Sequence, residues 1–118
     1  MGSKAKHILI LERDQGVAQT VHSMAQVLGH APRICASSDE ALAELSRKHY
    51  DVVITNHYLK NPSVSLPRLI RSVQPGAKVV VTACTRGELG PGIPVDGLLQ
   101  KPFGLSDLEQ AICAAAGN

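Results

Sequence analysis

The sequence predicts an α/β domain built on a parallel sheet that carries helices on both faces. Short apolar runs alternate along the chain with segments whose apolar residues recur every three or four positions. Polar loops separate the two kinds of segment. Strands that alternate with helices across short loops favour a doubly wound parallel sheet, because right-handed crossovers place helices on both of its faces.

The sheet is predicted to be centred on residues 51–56, an apolar run that starts at Asp51 and ends at Asn56. A run that is apolar on both faces is typical of a buried central strand. The carboxyl ends of parallel strands point into the crevice where such folds bind ligands. We therefore expect the side chain of residue 56 to dominate any chemistry, and an amide is a poor nucleophile.

The elements before the central strand follow from apolar spacing and capping residues. His7–Leu11 is predicted as the first strand because it is apolar and too short for a helix. Asp14 can cap a first helix that Gly29 closes. Residues 32–36 are predicted as the second strand, and a second helix follows them to about residue 49. This helix is opened by Ser37 and Glu40, which have the spacing of a capping box.

The elements after the central strand are predicted in the same way. A third helix is entered at residue 65, and strands follow at residues 78–82 and 95–100. Between those two strands, glycine and proline are so dense from Gly87 to Pro94 that a helix there is predicted to be short or missing. Ser106 and Glu109 again have capping-box spacing, which predicts the start of the last helix.

Length and charge limit the classes of protein. The 118 residues suffice for one domain, residues 1–118, in which residues 1–5 are interpreted as a disordered start or an expression remnant. The net charge is +2 and the basic residues are scattered, so we expect no nucleic-acid partner and no membrane binding. No segment reaches the length of a membrane span, and the chain start lacks a signal peptide's apolar core.

The cysteines favour a reducing compartment. Cys35, Cys84 and Cys113 are odd in number and form no CxxC pair, which fits neither a disulfide framework nor a zinc site. We expect them to be small buried apolar residues in a cytoplasmic protein. His57 follows Asn56 but has no second ligand at suitable spacing, so no metal and no cofactor is predicted.

Three short motifs, in order, carry a resemblance to a known family. They are Glu12-Arg13 after the first strand, Thr82-Ala83 after the fourth, and Lys101-Pro102-Phe103 after the fifth. With them, the chain from His7 to Ala116 resembles the receiver domain of two-component response regulators. The resemblance implies a flavodoxin-like, CheY-like sheet of five strands in the order 2-1-3-4-5, with the site where strands one, three, four and five end.

The same resemblance implies that the phosphorylation pocket is vestigial. Receivers hold magnesium with an acidic pair, accept phosphate on an aspartate at the end of strand three, and contact the phosphoryl group with a threonine and a lysine. Thr82 and Lys101 match these last two positions, whereas Asn56 stands at the phosphoacceptor position and Arg13 at the second acidic position. The resemblance also implies that the Lys101-Pro102 peptide bond is cis.

Charge explains why metal binding should be lost. Glu12, Arg13, Asn56 and Lys101 sum to +1, whereas three carboxylates and one lysine sum to −2. A divalent cation about 5 Å from an arginine meets a repulsion of roughly 7 kcal/mol at an effective dielectric constant of about 20. We therefore hypothesise that the Arg13 guanidinium occupies the position of the metal and pairs with Glu12.

The switch that receivers use is altered as well. The family's switch aromatic lies three residues before the lysine, where this chain has Leu98. Without a ring to move, we expect a domain held in one state. Partner binding is then predicted on the first or the last helix, where the small residues Ala111, Ala114 and Ala115 would allow close approach.

The sequence predicts a degenerate receiver domain of a two-component or phosphorelay system that works as a phosphorylation-independent protein-interaction module and is not an enzyme. Its expected partner is a signalling protein or its own output domain, and a homodimer stays open. Two alternatives remain: a functional receiver with a rearranged phosphorylation site, and a small-molecule or anion sensor built from Thr82, Lys101 and Arg13. Two interpretations without a functional role also stay open: Asn56 is only a polar strand end, and Lys101 only pairs with Glu12.

Overall fold

A computed structural model describes residues 5–56, 66–83 and 95–116 of the chain. The described residues form five strands and four helices. In chain order these are β1 (His7–Leu11), α1 (Gln15–Val27), β2 (Ala31–Cys35), α2 (Ser38–Arg47), β3 (Val52–Asn56), α3 (Leu66–Val73), β4 (Lys78–Ala83), β5 (Gly97–Gln100) and α4 (Leu105–Ala116).

The strands form one parallel sheet in the order β2-β1-β3-β4-β5. This is the predicted order, and β3 lies at its centre between β1 and β4. The register aligns Leu11 with Thr55 and Asn56 with Thr82, so the carboxyl ends of the three inner strands lie side by side. The doubly wound fold predicted from the sequence is therefore confirmed.

Each face of the sheet is covered by its own apolar cluster. Leu9, Val53 and Val79 pack on the side of α2 and α3, whereas Ile8, Ile54 and Val80 pack on the side of α1 and α4. Neighbouring residues of a strand point to opposite faces, so a strand that is covered on both sides must be apolar at every position. Burial on both faces therefore explains why these strands are continuous runs of Val and Ile.

The caps of α1 and α2 were predicted correctly. The Asp14 carboxylate accepts a hydrogen bond from the Val17 N–H at 3.1 Å, and Gly29 closes α1 with a φ of +88°. Ser37 Oγ accepts from the Glu40 N–H at 3.2 Å. The Glu40 carboxylate returns to the Ala36 N–H at 3.0 Å, one residue before the cap, and so ties β2 to α2.

The cap of the last helix was predicted wrongly. α4 begins at Leu105, and the Gly104 carbonyl accepts its first helical bond from the Leu108 N–H. The side chain that reaches back is Asp107, which accepts from the Gly104 N–H at 2.8 Å. Ser106 and Glu109 therefore lie inside the helix, because Asp107, two residues before Glu109, already satisfies the free Gly104 N–H group.

Strand boundaries differ from the prediction by one or two residues. β2 starts one residue earlier, at Ala31, and β5 starts at Gly97 rather than at Val95. The pairing of β4 with β5 does not extend back past Asp96. At this residue the side-chain carboxylate, rather than a strand carbonyl, accepts from the Val79 N–H at 2.8 Å. The region in which a helix was expected to be short or missing, residues 87–94, lies outside the described residues. Within the described ranges, none of the helices is both long and apolar enough to cross a membrane.

Candidate functional site

Four of the predicted pocket residues follow one another along the carboxyl edge of the sheet. Glu12 comes directly after β1, Asn56 ends β3, Thr82 lies near the end of β4, and Lys101 follows β5. Asn56 and Thr82 are register partners. The sheet order therefore converts four residues that are far apart in sequence into neighbours at one edge.

Glu12 is the centre of this group. Its side chain is only 7% exposed, and both of its carboxylate oxygens have partners. Oε2 accepts from the Asp14 N–H at 3.1 Å, while Oε1 accepts from the Asn56 amide at 3.3 Å and lies 3.8 Å from Lys101 Nζ. A buried carboxylate needs such partners because an isolated charge is costly to remove from water. Glu12 is thus held by three groups from three different elements.

Asn56 acts as a donor in this arrangement. Its Nδ2 group faces Glu12, an interaction that an aspartate at the same position could not make when both carboxylates are ionised. The contact gives this polar strand end a structural partner in the pocket, and its functional role stays a prediction. The amide connects β3 with the end of β1 inside the pocket.

Lys101 reaches the pocket from the loop between β5 and α4. The Lys101-Pro102 peptide bond is cis, as predicted. The ammonium group lies 3.8 Å from Glu12 Oε1, at the outer limit of an ion pair, and the side chain is 27% exposed. The expected structural pair between Lys101 and Glu12 is therefore present, and part of the lysine side chain faces solvent.

Thr82 differs from the other three residues because its hydroxyl is unsatisfied. The residue is 3% exposed, and its Oγ1 atom has no hydrogen-bond partner among the described residues. Most buried hydroxyl groups have a partner, since an unpaired one costs about 1 to 3 kcal/mol. Thr82 is thus a polar group of the pocket that is buried without compensation in the described part of the chain.

The hypothesis that Arg13 pairs with Glu12 is wrong. Arg13 is exposed, and it forms no ion pair with Glu12 or with any other residue that the structure describes. Lys101 and Asn56 approach Glu12 Oε1, and the Asp14 N–H donates to Oε2, so these groups, and not Arg13, are the partners of the carboxylate. The sequence could not show this competition, because it depends on how three distant segments converge.

Two further predictions concern the neighbouring faces. Leu98 is half-buried and packs on the cluster beside α2 and α3, on the opposite side of β5 from Leu99. Of the small residues proposed for partner contact, Ala114 is exposed, whereas Ala115 is buried against the sheet and is unavailable to a partner. Ala111 is half-buried, so the predicted patch on α4 is reduced to little more than Ala114.

The structure describes two of the three cysteines whose burial was predicted. Cys35 is fully buried, as expected, and burial raises the pKa of its thiol to about 11. Cys113 is only half-buried. Cys84 and His57 lie outside the described residues. In the described ranges, no group of three His, Cys, Asp or Glu side chains is arranged to hold a metal ion.

Similarity to known proteins was found in the comparison with solved structures. No protein-family model and no curated protein matches the sequence. Among solved structures, the receiver domain of a sensor histidine kinase from Pseudomonas aeruginosa, which holds a magnesium ion in its active-site cleft, is 21% identical with a TM-score of 0.82, and the match covers 98% of this chain and 100% of that one.

Two receiver domains of response regulators are similar as well. A response regulator receiver domain from Methylobacillus flagellatus is 26% identical with a TM-score of 0.76, over 92% of this chain and 99% of that chain. One from Clostridium thermocellum is 24% identical with a TM-score of 0.80, over 95% and 94%. The predicted resemblance is confirmed, and the chain has the fold of the CheY-like receiver domains of response regulators.

Proposed function

We propose that this domain is a degenerate receiver that acts in two-component or phosphorelay signalling as a protein-interaction module, without being phosphorylated and without enzymatic activity. One observation carries the proposal: the amide of Asn56 stands at the end of β3 and donates to Glu12, while Lys101 approaches the same carboxylate oxygen. The pocket thus satisfies its own charges, with no carboxylate on β3 to accept a phosphoryl group.

The donor set also does not fit a magnesium ion. Magnesium prefers an octahedron of carboxylate and water oxygens. Of the four residues that the sheet brings together, only Glu12 carries a carboxylate, and its two oxygens already accept from Asn56 and from the Asp14 N–H. A cation bound to Oε1 would also lie close to the Lys101 ammonium, whose charge repels it.

The proposal is tested by exposing the folded domain to phosphodonors. Acetyl phosphate and beryllofluoride, each with magnesium, should leave the mass and the amide spectra of the protein unchanged, and magnesium alone should not bind at millimolar concentration. A receiver known to be active serves as the positive control. A phosphoryl adduct on the intact protein would contradict the proposal and would instead support a functional receiver with a rearranged site.

A second candidate function is anion or small-molecule sensing, and the unsatisfied hydroxyl of Thr82 favours it. This buried group and the partly exposed side chain of Lys101 lie at the same edge of the sheet, so an anion between them would receive one hydrogen bond and one charge. Arg13 is exposed and does not pair with Glu12, so this candidate site depends on Thr82 and Lys101. A thermal-shift series with phosphate, sulfate and nucleotides tests it, with Lys101→Gln as the variant that should lose any shift.

As an interaction module, the domain has a protein partner, which we propose to be a signalling protein or an output domain on the same chain. The charge pattern offers nothing for nucleic acid: the net charge is +2 and α1 carries no basic residue. The direct way to find this partner is to co-purify the domain with full-length signalling proteins from the organism that encodes it. A domain that binds DNA through its own surface would contradict this part of the proposal.

A further inference from the structure

The chain enters β1 through backbone groups that are bonded by two titratable side chains. Lys6 and His7 lie at the amino edge of the sheet, opposite the carboxyl edge that carries the pocket. The Lys6 N–H donates to His30 Nδ1 at 3.0 Å, and the His7 N–H donates to Asp51 Oδ2 at 2.8 Å. An imidazole and a carboxylate thus serve two successive N–H groups for which a sheet normally supplies strand carbonyls.

The turn that ends α1 places His30 for its contact. Gly29 reverses the chain with a φ of +88°, and the His30 N–H then donates to the Ala25 carbonyl at 2.9 Å. The N–H of the next residue, Ala31, donates to the Lys6 carbonyl at 2.9 Å. Residues 30 and 31 therefore bond both polar backbone groups of Lys6, and the imidazole extends the β1–β2 ladder by one hydrogen bond.

This contact requires a neutral imidazole. Nδ1 accepts a hydrogen bond only while it carries no proton, and in the imidazolium both ring nitrogens are donors. A proton on His30 Nδ1 would point at the Lys6 N–H, and both donors would then lack an acceptor. Protonation of His30 therefore breaks the bond to Lys6 rather than weakening it.

Charged groups before β1, before β3 and on α4 act on the His30 ring. Burial lowers the pKa of His30 below its ordinary value of 6.5, and the Lys6 ammonium lowers it further, while Glu109 and Asp51 oppose this shift. Since the pKa is lower in the folded state, the contact contributes stability that is fully present above about pH 6.5. This stability is lost as the pH falls through the lowered value.

Asp51 responds in a different pH range. Burial acts to raise the pKa of its carboxyl group, but the hydrogen bonds from the His7 N–H and from His49, whose Nε2 lies 3.2 Å from Oδ1, lower it below the ordinary 3.8. The carboxylate therefore stays ionised in mild acid and keeps the His7 N–H. Any opening in this range is confined to Lys6 and to the chain before it.

We propose that His30 is a pH-sensitive latch, a side chain that fixes Lys6 at neutral pH and releases it in mild acid while the sheet stays folded. The release moves the point at which the chain joins the sheet from Lys6 to His7. Whatever precedes β1 is thereby held less closely to the domain in mild acid. The latch does not rest on the proposed signalling role, because it lies at the amino edge and none of the pocket residues takes part in it.

Nuclear magnetic resonance on the whole 118-residue protein tests the latch. The protection factor of the Lys6 amide, which removes the intrinsic pH dependence of hydrogen exchange, should fall by about fivefold between about pH 7 and about pH 5, the size expected for one net hydrogen bond. The His7 amide should keep its protection. The imidazole nitrogens of His30 should titrate below about pH 6.5, and the Lys6 amide resonance should follow them.

Two variants at residue 30 separate titration from packing. His30→Asn places an amide oxygen near the position of Nδ1 but does not titrate, so the Lys6 amide should stay protected at both pH values. His30→Leu removes the acceptor and should leave this amide poorly protected at both. The control is His22→Asn, at a half-buried histidine in the middle of α1, and it should keep the wild-type pH dependence.

The wild-type titration needs no variant, so the latch can be refuted even if a substitution unfolds the protein. Constant protection of the Lys6 amide across the titration of His30 would overturn the inference. A parallel loss at the His7 amide would also overturn it, because the change would then be general unfolding of the edge. So would a folded His30→Asn protein that still loses protection in acid.

Discussion

Asn56 shows how one amide changes the chemistry of a whole pocket. A carboxylate at this position would stand beside Glu12 as a like charge and would need a cation to hold both. The amide instead donates to Glu12 at 3.3 Å, so the pair is attractive without any ion. Lys101 Nζ lies 3.8 Å from the same carboxylate and offsets its negative charge. In the proposed degenerate receiver, an amide at this position leaves no carboxylate on β3 and no like-charge pair that would need a metal.

Restoring the carboxylates should therefore restore the chemistry only when both departures are reversed. Asn56→Asp alone places a second carboxylate beside Glu12, raises the pKa of one of them by repulsion, and should still bind no magnesium at millimolar concentration. Adding Arg13→Asp brings the net charge of Glu12, residue 13, residue 56 and Lys101 from +1 to −2 and supplies a third carboxylate. We expect magnesium binding and at least weak phosphorylation in the double variant alone.

Magnesium titration and mass spectrometry after acetyl phosphate treatment measure these outcomes, with Arg13→Asp alone as the control that lacks a phosphoacceptor. A reactive Asn56→Asp single variant would show that Arg13, which is exposed, does not hinder the metal. Repulsion by Arg13 would then not be the cause of weak metal binding, while an aspartate on β3 would still be required.

A comparison of two buried threonines can measure how much the unsatisfied Thr82 hydroxyl changes the free energy of unfolding. Thr82 Oγ1 has no partner among the described residues, whereas Thr55 Oγ1 donates to the Asn56 carbonyl at 3.1 Å. Thr82→Val removes an uncompensated polar group at nearly constant shape and should raise the free energy of unfolding by about 1 kcal/mol. Thr55→Val removes a hydrogen bond and should lower it by about the same amount. Urea unfolding decides between these signs, and a destabilised Thr82→Val variant would mean that its hydroxyl is bonded in solution.

At the scale of elements, short-range chemistry sets most of the boundaries. Asp14 and Ser37 cap their helices as predicted, and Gly29 takes the positive φ that ends α1. Where a prediction failed, a second local acceptor competed: Asp107, rather than Glu109, reaches back to the free N–H group at the start of α4. Capping residues can be recognised from sequence, but which of two close candidates wins depends on where the preceding loop enters.

The cap of α1 gives a measurable prediction. Asp14→Ala leaves the Val17 N–H without its side-chain acceptor and should lower the free energy of unfolding by about 1 kcal/mol. Asp14→Asn keeps an oxygen acceptor at the same place and should be close to wild type. Chemical denaturation of the three proteins provides the comparison. Equal losses in both variants would indicate that the negative charge, rather than the hydrogen bond, is what stabilises the helix.

At the scale of the whole molecule, a buried acid joins α2 to the start of β3. Glu44 is 6% exposed, and its carboxylate accepts from the Tyr50 hydroxyl at 2.9 Å and from the Arg47 guanidinium, with Arg33 Nε at 3.5 Å. Tyr50 is itself buried, and burial together with this hydrogen bond raises its pKa to about 12. Gln74 adds α3 to the network, because its amide bonds the Tyr50 N–H and carbonyl groups at the end of α2.

This network makes stability depend on pH on the acid side. The hydrogen bonds from Arg47 and Tyr50 lower the pKa of Glu44 from its ordinary value of 4.5. A lowered pKa in the folded state contributes stability that is present above about pH 4.5 and is lost as the pH falls through the lowered value. Glu44→Gln should therefore be less stable than wild type at about pH 7, with a difference that shrinks at about pH 3.

Urea unfolding at the two pH values gives this comparison, and Glu109→Gln, which replaces an exposed carboxylate on α4, is the control. The control should track the wild type at both values. If the deficit of Glu44→Gln were the same at both, the ionised form of Glu44 would not be what holds α2 to the sheet, and packing alone would account for its effect.

The sequence by itself determined the alternation of strands and helices, the central position of β3 and most of the helix ends. These depend on side chains within a few residues of each other: apolar runs such as Val52-Val53-Ile54, a cap such as Asp14, a stop such as Gly29. It also placed Glu12, Asn56, Thr82 and Lys101 at strand ends, since parallel strands share one carboxyl edge.

Only the tertiary structure decided which of these groups bind each other. Arg13 was expected to take the Glu12 carboxylate, yet Lys101, Asn56 and the Asp14 N–H hold it, and Thr82 is left unsatisfied among the described residues. The burial of Glu44 beneath Tyr50 was not predicted at all. Such choices are settled by competition between groups that arrive from distant segments within a few ångströms of one another. Small differences in distance and burial, which no local pattern records, determine which group wins.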